Sequence, residues 1–380
     1  MDFTWADDQI ELHDRLRAFA EDHLDGAVAV GGEHGFPARA FSRCGEVGIL
    51  GLCVPEQLGG LGAGALTTAF ALEGLGRGGA DGGLMFALCA HLFACTMPIV
   101  EHGSSTLHEA WLADLVHGRA VGANAITEAE AGSDVFALRT TATRDGDHYV
   151  LEGTKSYVSN GPVADLFLVY ATVEPAHGYL GIAAFVVERG QPGVTVGEPF
   201  AKLGLSSCPT SSLYLDGCRV PASHRVGDEG DGASVFRASM AWERSCLFAT
   251  YLGTMRRQLR LTVEHARGRR QFRKPLGKHQ AVAHRIVDMK LRLEAARMLV
   301  YRACWLRDQQ RDATLETALA KLAVSEGAIQ SALDAIQIHG GMGVMTESGL
   351  GQMLADAVPS TIFSGTSEIQ RDLVAARLGL

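Results

Sequence analysis

The chain has 380 residues, of which 47% are apolar and 20% charged, proportions of an ordinary globular protein with a large core. Length alone predicts two or three domains. Forty-three acidic against 34 basic residues leave a net charge of −9, which argues against nucleic acid as a partner, because phosphate binding needs a basic face.

The first residues, MDFTWADDQ, are acidic where a secretory signal would be basic and then apolar, so the cytoplasm is the expected compartment. Eight dispersed cysteines with no CxxC pair are expected to be buried thiols, and with HExxH also missing no metal site is expected. From Asp7 to about Gly118 the apolar period is helical. Ile10, His13, Leu16 and Ala20 should share one face, and so should Phe41, Cys44, Val47 and Gly48. Glycine clusters at 59–64 and 74–83 read as punctuation. Gly83 to Val100 carries only His91 and Thr96 as clearly polar side chains and is marginally long enough to span a membrane. Its flanks hold Asp81 and Glu101 and lack a Lys/Arg cluster, so a buried helix is the expected state.

From about Ala120 to Gly230 short apolar runs alternate with turn residues. Strands are predicted at Tyr149–Leu151, Leu166–Val173, Ile182–Val187, Val194–Val196 and Leu213–Leu215. The helical period returns at Ala233. Ile286, Met289, Leu293, Ala296, Val300 and Ala303 make one apolar stripe, and a second long helix is predicted from about Thr314 to His339. The fold class is therefore α+β and mainly α: a helical domain over 1–119, a β domain over 120–230 and a helical bundle over 231–380.

Five segments and one glutamate stand out, and a plain structural reading is open for every one of them. ITEAEAGSD (126–134) is a small-residue loop whose amides could approach an anionic or carbonyl-rich ligand, or an ordinary loop just before the first strands. In GTKSYVSNG (153–161) Tyr157 and Ser159 fall on one strand face, suited to a flat ring and its polar edge, or to a half-buried strand. Five of the eight residues in RGRRQFRK (267–274) are basic, fitting a pyrophosphate or a solvated helix end. QIHGGMG (337–343) fits a helix C-cap or close backbone packing on a ligand. In TIFSGTSEIQ (361–370) Thr366 or Ser367 is a plausible N-cap. Glu243, before Arg244 in an apolar helix, is either half of a local ion pair or a desolvated base facing a cavity.

Taken in order, AITEAEAGSD, GTKSYVSNG, KLGLSSCPTSSLYLDGCRVP, RRQFRKPLGKHQ, QIHGGMG and IFSGTSEIQR resemble the acyl-CoA dehydrogenase family over essentially the whole chain. The resemblance implies an N-terminal helical domain, a β-barrel-like middle domain and a C-terminal four-helix bundle. It further implies a homotetramer, in some members a dimer, with FAD bound partly across a subunit interface. Carried over by position, Thr127 and Ser133, with Ile126 and Gly132 in the same loop, would contact the flavin ring and pyrophosphate. Tyr157 stands where the family usually has tryptophan beside the isoalloxazine, and Ser159 where a threonine bonds near the reactive nitrogen. Arg269, Phe272 and Gln280 match the FAD-binding segment of a neighbouring subunit. Gln337, Gly340 and Gly341 match adenine and pyrophosphate contacts, and Thr366 and Glu368 match cofactor contacts after the catalytic loop. Arg273 departs from a usual glycine, and Glu368 from a frequent glutamine or asparagine.

Ser364 occupies the position at which many members carry the catalytic glutamate. A serine hydroxyl cannot deprotonate a carbon acid unaided. One branch of the family places the glutamate on an earlier helix before an arginine, which Glu243 and Arg244 match. The resemblance thus implies Glu243 as base, with Arg244 and the Ser364 backbone N–H in secondary roles at the thioester carbonyl. Within the family the chain is most similar to the L-prolyl-[peptidyl-carrier-protein] dehydrogenases, through strings such as CGEVGILGL and MAWERSCLFATYLG. That implies a prolyl thioester on a carrier protein, oxidised to pyrrole-2-carbonyl in two steps. The alternatives are a short or branched acyl group on a carrier protein or CoA, and a flavin oxidase or monooxygenase on the same fold. A cofactor-free interaction protein is the non-enzymatic alternative. The implied electron acceptor is an electron-transfer flavoprotein or oxygen.

Overall fold

Acidic residues in the first turn favour the start of helix α1 (Asp7–His23) through its dipole. His13, Leu16 and Ala20 are buried as their spacing requires, but Ile10 is exposed. In the computed structural model, which describes residues 4–24 and 33–380, α1 packs along α3 (Ala65–Gly78), with Gln9 Nε2 donating to Thr67 Oγ1 at 2.7 Å and the His13 ring stacked on Phe70, and Ile10 lies off that face. A side chain at Gly74 would meet the His13 carbonyl at 2.5 Å, and one at Gly78 the Arg17 carbonyl at 2.4 Å. The glycines at 74–78 therefore lie inside a helix and permit close helix packing, where sequence reading took them for punctuation. A second correction concerns α2 (Ala38–Glu46): Phe41 and Cys44 are buried, but the helix ends before Val47, which is exposed, and Gly48 turns the chain left-handed.

The apolar stretch forms α4 (Gly82–His102), capped by Asp81, whose side chain accepts the Leu84 N–H at 2.8 Å. It is the one helix among the described residues long and apolar enough to cross a membrane, and 94% of its most apolar window is buried inside the chain. His91 at its centre accepts the Gly122 N–H on Nδ1 at 2.9 Å, which directs its Nε2–H to the Leu115 carbonyl at 3.1 Å. Burial pushes this imidazole down to about 4, so it is neutral and structural.

Gly122 opens strand β1 (Gly122–Ala125), which pairs parallel with β4 (Leu166–Thr172). β1 was not anticipated, because four small residues carry no β-branched or aromatic signal, and so ITEAEAGSD follows the first strand instead of preceding it. The remaining strands are β2 (Thr141–Asp145), β3 (His148–Ser159), β5 (Ile182–Glu188), β6 (Val194–Val196), β7 (Thr210–Pro221) and β8 (Arg225–Val226). They run in the order β6-β7-β3-β2-β4-β5-β8. Tyr149, Phe167, Phe185 and Leu213 fill a core belonging to this sheet.

The C-terminal part consists of α5 (Gly232–Cys246), α6 (Phe248–Gly268), α7 (Gln280–Asp308), α8 (Thr314–His339), α9 (Leu350–Ala357) and α10 (Ser367–Leu378). The predicted stripe on α7 is buried from Met289 to Ala303, with Ile286 partly so. Leu72 and Leu84 from the N-terminal helices share one core with Phe248, Leu293 and Val324. Helices from both ends of the chain thus close into one body against the sheet.

Asp356 on α9 ties the sheet to this body. Its Oδ1 accepts the Leu205 N–H at 2.6 Å and the Gln352 amide at 2.8 Å. Burial pushes the carboxyl up to about 6. A folded value above the unfolded one gives stability that is whole below about pH 4 and lost as pH rises through about 6. Asp356→Asn keeps both acceptor contacts without the buried charge. Thermal melts should show the variant more stable than wild type at pH 8 and indistinguishable from it at pH 4; equal melting temperatures at pH 8 would contradict this reading.

Candidate active site

The site is assembled from α5, α4, α8 and the loop before α10. Glu243 lies near the end of α5, 5% exposed. The Ser364 hydroxyl donates to its Oε1, and Arg244 Nε donates to the Ser364 carbonyl at 2.6 Å. Lys321 of α8 is fully buried, donates to the Ser360 carbonyl at 3.1 Å and stands 5.5 Å from the Phe248 ring centre. Burial raises the proton affinity of Glu243, while the Ser364 hydroxyl, Arg244 and Lys321 oppose the rise; the carboxyl stays above its ordinary value. Burial, helped by Arg244, pushes Lys321 down to about 8. A buried carboxylate of raised basicity beside aromatic surface is suited to taking a proton from a weak carbon acid.

Aromatic rings cluster next to Ser364, the hydrogen-bond partner of this carboxylate. Phe363, adjacent to Ser364, lies 4.5 Å from Phe86 of α4, 5.7 Å from Phe248 and 6.5 Å from Tyr251, centroid to centroid. The next residue of α4, Ala87, accepts a hydrogen bond from Asn160 Nδ2 at 3.0 Å. Asn160 is the left-handed residue that follows the strand carrying Tyr157 and Ser159. Three contacts therefore connect the expected flavin face to the expected base: Asn160 to α4, α4 to Phe363, and Ser364 to Glu243.

Tyr157 and Ser159 flank buried Val158. A register shift against β7 between Lys155 and Val158 throws Tyr157 out, 67% exposed at φ 57 and 5.6 Å from the Phe200 ring. Lys155, fully buried, points inward from the same strand. Its Nζ donates to the Ile126 carbonyl at 3.2 Å and to Glu128 at 2.7 Å. Glu128 also accepts the Arg139 N–H at 2.7 Å, the Thr140 N–H at 3.0 Å and the Thr140 hydroxyl at 2.6 Å. This network shapes the loop holding Ile126, Thr127, Gly132 and Ser133, and the Ser156 N–H binds the Thr127 carbonyl at 2.8 Å. Gly132 and Ser133 are exposed, and nothing lies within 4 Å of where a Gly132 side chain would be. An open aromatic face beside open backbone fits a planar ring joined to a phosphate.

The other expected contacts gather at the far end of the bundle. Helix α6 has 21 residues, which puts Arg269 about 30 Å from Phe248. Arg270–Gln271 and Lys274–Pro275 pair as a hairpin whose turn residues Phe272 and Arg273 both have positive φ, and Phe272 is 88% exposed. The departure at Arg273 is thus at a backbone position that glycine adopts at lower cost. His265 and His339 stack 4.2 Å apart, bringing Gln337, Gly340 and Gly341 beside this hairpin. Gln280, Gln337, Gly340 and Gly341 are exposed, with open space at both glycines. The single chain does not bring these residues to Glu243. Thr366 does lie near it and caps α10 by accepting the Ile369 N–H at 3.3 Å; Glu368 follows in the first turn, exposed.

Family models for the acyl-CoA dehydrogenase N-terminal, middle and C-terminal domains match residues 6–119, 123–218 and 230–379. The chain belongs to the acyl-CoA dehydrogenase family. This family member is 48% identical over 383 residues to the L-prolyl-[peptidyl-carrier protein] dehydrogenase of Pseudomonas fluorescens, with both chains covered in full. Its structure is similar to that of PigA with FAD and proline (TM-score 0.97, 42% identity, both chains covered in full). It is also similar to the prolyl acyl carrier protein oxidase AnaB (TM-score 0.96, 41% identity, 99% and 100% covered).

Sequence reading missed Lys155, Glu128, Asn160 and Lys321. For Lys155 a signal existed: inward positions Tyr149 and Leu151 extend by twos to 155, placing a lysine in the core. Asn160 was legible only as a turn residue, because its partner Ala87 is 73 positions away.

Proposed function

We propose that this family member catalyses FAD-dependent α,β-dehydrogenation of an acyl thioester, with L-proline tethered to a peptidyl carrier protein as substrate and pyrrole-2-carbonyl as product. The observation that carries the chemistry is Glu243, buried, hydrogen-bonded to Ser364 and followed by Arg244. The substrate rests on full-length similarity to proteins of that activity.

Glu243 takes the α-proton. The Ser364 backbone N–H is the proposed donor to the thioester carbonyl, stabilising the charge that develops as the α-carbon is deprotonated. Glu243 is buried, and the Phe86–Phe363–Phe248 cluster next to Ser364 is proposed to help keep water from it. FAD, when bound, supplies the acceptor for the β-hydrogen, which leaves as hydride. Thr127, Ser133, Tyr157 and Ser159 are the proposed ring contacts. Arg269, Phe272, Gln280, Gln337, Gly340 and Gly341 are proposed to serve a neighbouring subunit of a homotetramer; the exposed Phe272, Met342 and Val344 at that end support an interface. The acceptor is an electron-transfer flavoprotein or oxygen, the latter supported by the similarity to an oxidase. Eight free, buried cysteines support a reducing, cytoplasmic setting.

Mass spectrometry of prolyl-, butyryl- and isovaleryl-loaded carrier proteins tests the substrate. The prolyl group should lose four hydrogens through a species lacking two, while the others react far more slowly. Faster oxidation of butyryl or isovaleryl would reject the prolyl reading.

A further inference from the structure

The geometry points to Ser364 as a positioning residue for the base: its hydroxyl, fixed in place through its own backbone by Arg244, holds the Glu243 carboxylate oriented and ionised for proton abstraction. This deepens the function proposed above and rests on Glu243 being the base.

Ser364 is one of few non-glycine residues with positive φ, at 55°, and Gly365 follows at 90°. Two successive left-handed residues turn the loop back over α5. A left-handed serine costs about 1 kcal/mol relative to glycine, a cost that a bond made by its side chain can offset. The surroundings leave the loop little freedom. Arg244 Nε holds the Ser364 carbonyl at 2.6 Å, and Gln370 Nε2 holds the Gly365 carbonyl at 3.1 Å. A side chain at Gly365 would meet Gln370 Nε2 at 2.8 Å and Arg244 Nη2 at 3.1 Å. Phe363 is wedged between Phe86 and Phe248.

The hydroxyl of this pinned residue has one proton, and it is donated to Glu243 Oε1. That bond leaves Oε2 to receive the substrate's proton. Arg244 directs its Nε to the Ser364 carbonyl and Lys321 its Nζ to the Ser360 carbonyl, so these cations act on the carboxylate through charge. Cys89 of α4 and Tyr170 of β4 also face Glu243, both buried and held neutral; Glu368 and Glu326 act on Lys321. Ser364 is first among the groups that oppose the burial of Glu243.

The test uses the holoenzyme with Ser364→Ala, Ser364→Gly and Ser364→Thr. Two quantities are followed against pH: anaerobic single-turnover flavin reduction by prolyl-carrier protein, and the infrared carbonyl band of protonated Glu243 without substrate, assigned by subtraction of E243Q. Alanine and glycine should each raise both midpoints by about one unit, a tenfold loss of rate on the acid side, and keep most of the high-pH plateau. Threonine should restore the wild-type midpoint. Unmoved midpoints in alanine and glycine would overturn the proposal, as would a shift in alanine alone, which would trace the effect to backbone strain. Failure of the base assignment is seen separately, as E243Q reducing at the wild-type rate with no band lost.

Discussion

Glu243→Gln is expected to fold, to keep FAD and to lose roughly 10³-fold in the rate of anaerobic flavin reduction by prolyl-carrier protein. Glutamine has the shape of glutamate and still offers an oxygen to the Ser364 hydroxyl, so the contacts of α5 survive. It cannot accept the α-proton. Neighbouring groups are poor substitutes: Arg244 is cationic, Lys321 directs its Nζ to the Ser360 carbonyl, and burial holds the Cys89 thiol protonated. Stopped-flow mixing without oxygen reads the step directly, because flavin bleaching then reports substrate oxidation alone. A wild-type rate in this variant would remove Glu243 from the mechanism.

Lys155→Met should have the largest effect away from the base. Lys155 and Glu128 are an ion pair with 0% and 7% of their side chains exposed. Removing the cation leaves a carboxylate buried against Arg139 and Thr140 with no counter-charge, a loss of about 3–5 kcal/mol. The loop over 126–139 should open and the protein should emerge largely without flavin. Lys155→Met combined with Glu128→Gln removes the stranded charge and should recover part of the binding. Flavin titration followed by fluorescence decides it. Unchanged affinity in the single variant would mean that this pair does not shape the loop.

The helix–sheet–helix order, the stripe on α7 and the span of α8 were legible because each repeats over many turns, where periodicity is strongest. β1 was illegible because a parallel strand of four small residues has no period of its own; its partner β4 defines it. The glycines of α3 were misread because their reason lies in the backbones of α1 and α6, whose residues Arg17 and Thr250 are remote in sequence.

By itself, the sequence determined the three-part order, the family strings, a glutamate before Arg244 and a serine where other members carry their glutamate. These are local properties, written in spacing and residue type. Tertiary structure decided that Ser364 reaches back 121 positions to Glu243, that Lys155 braces the loop holding Thr127, and that Arg269 and Gln337 gather at the end of the bundle away from Glu243. Such facts depend on how helices from opposite ends of the chain pack, and desolvation, which turns an ordinary glutamate into a usable base, exists only once that packing has excluded water.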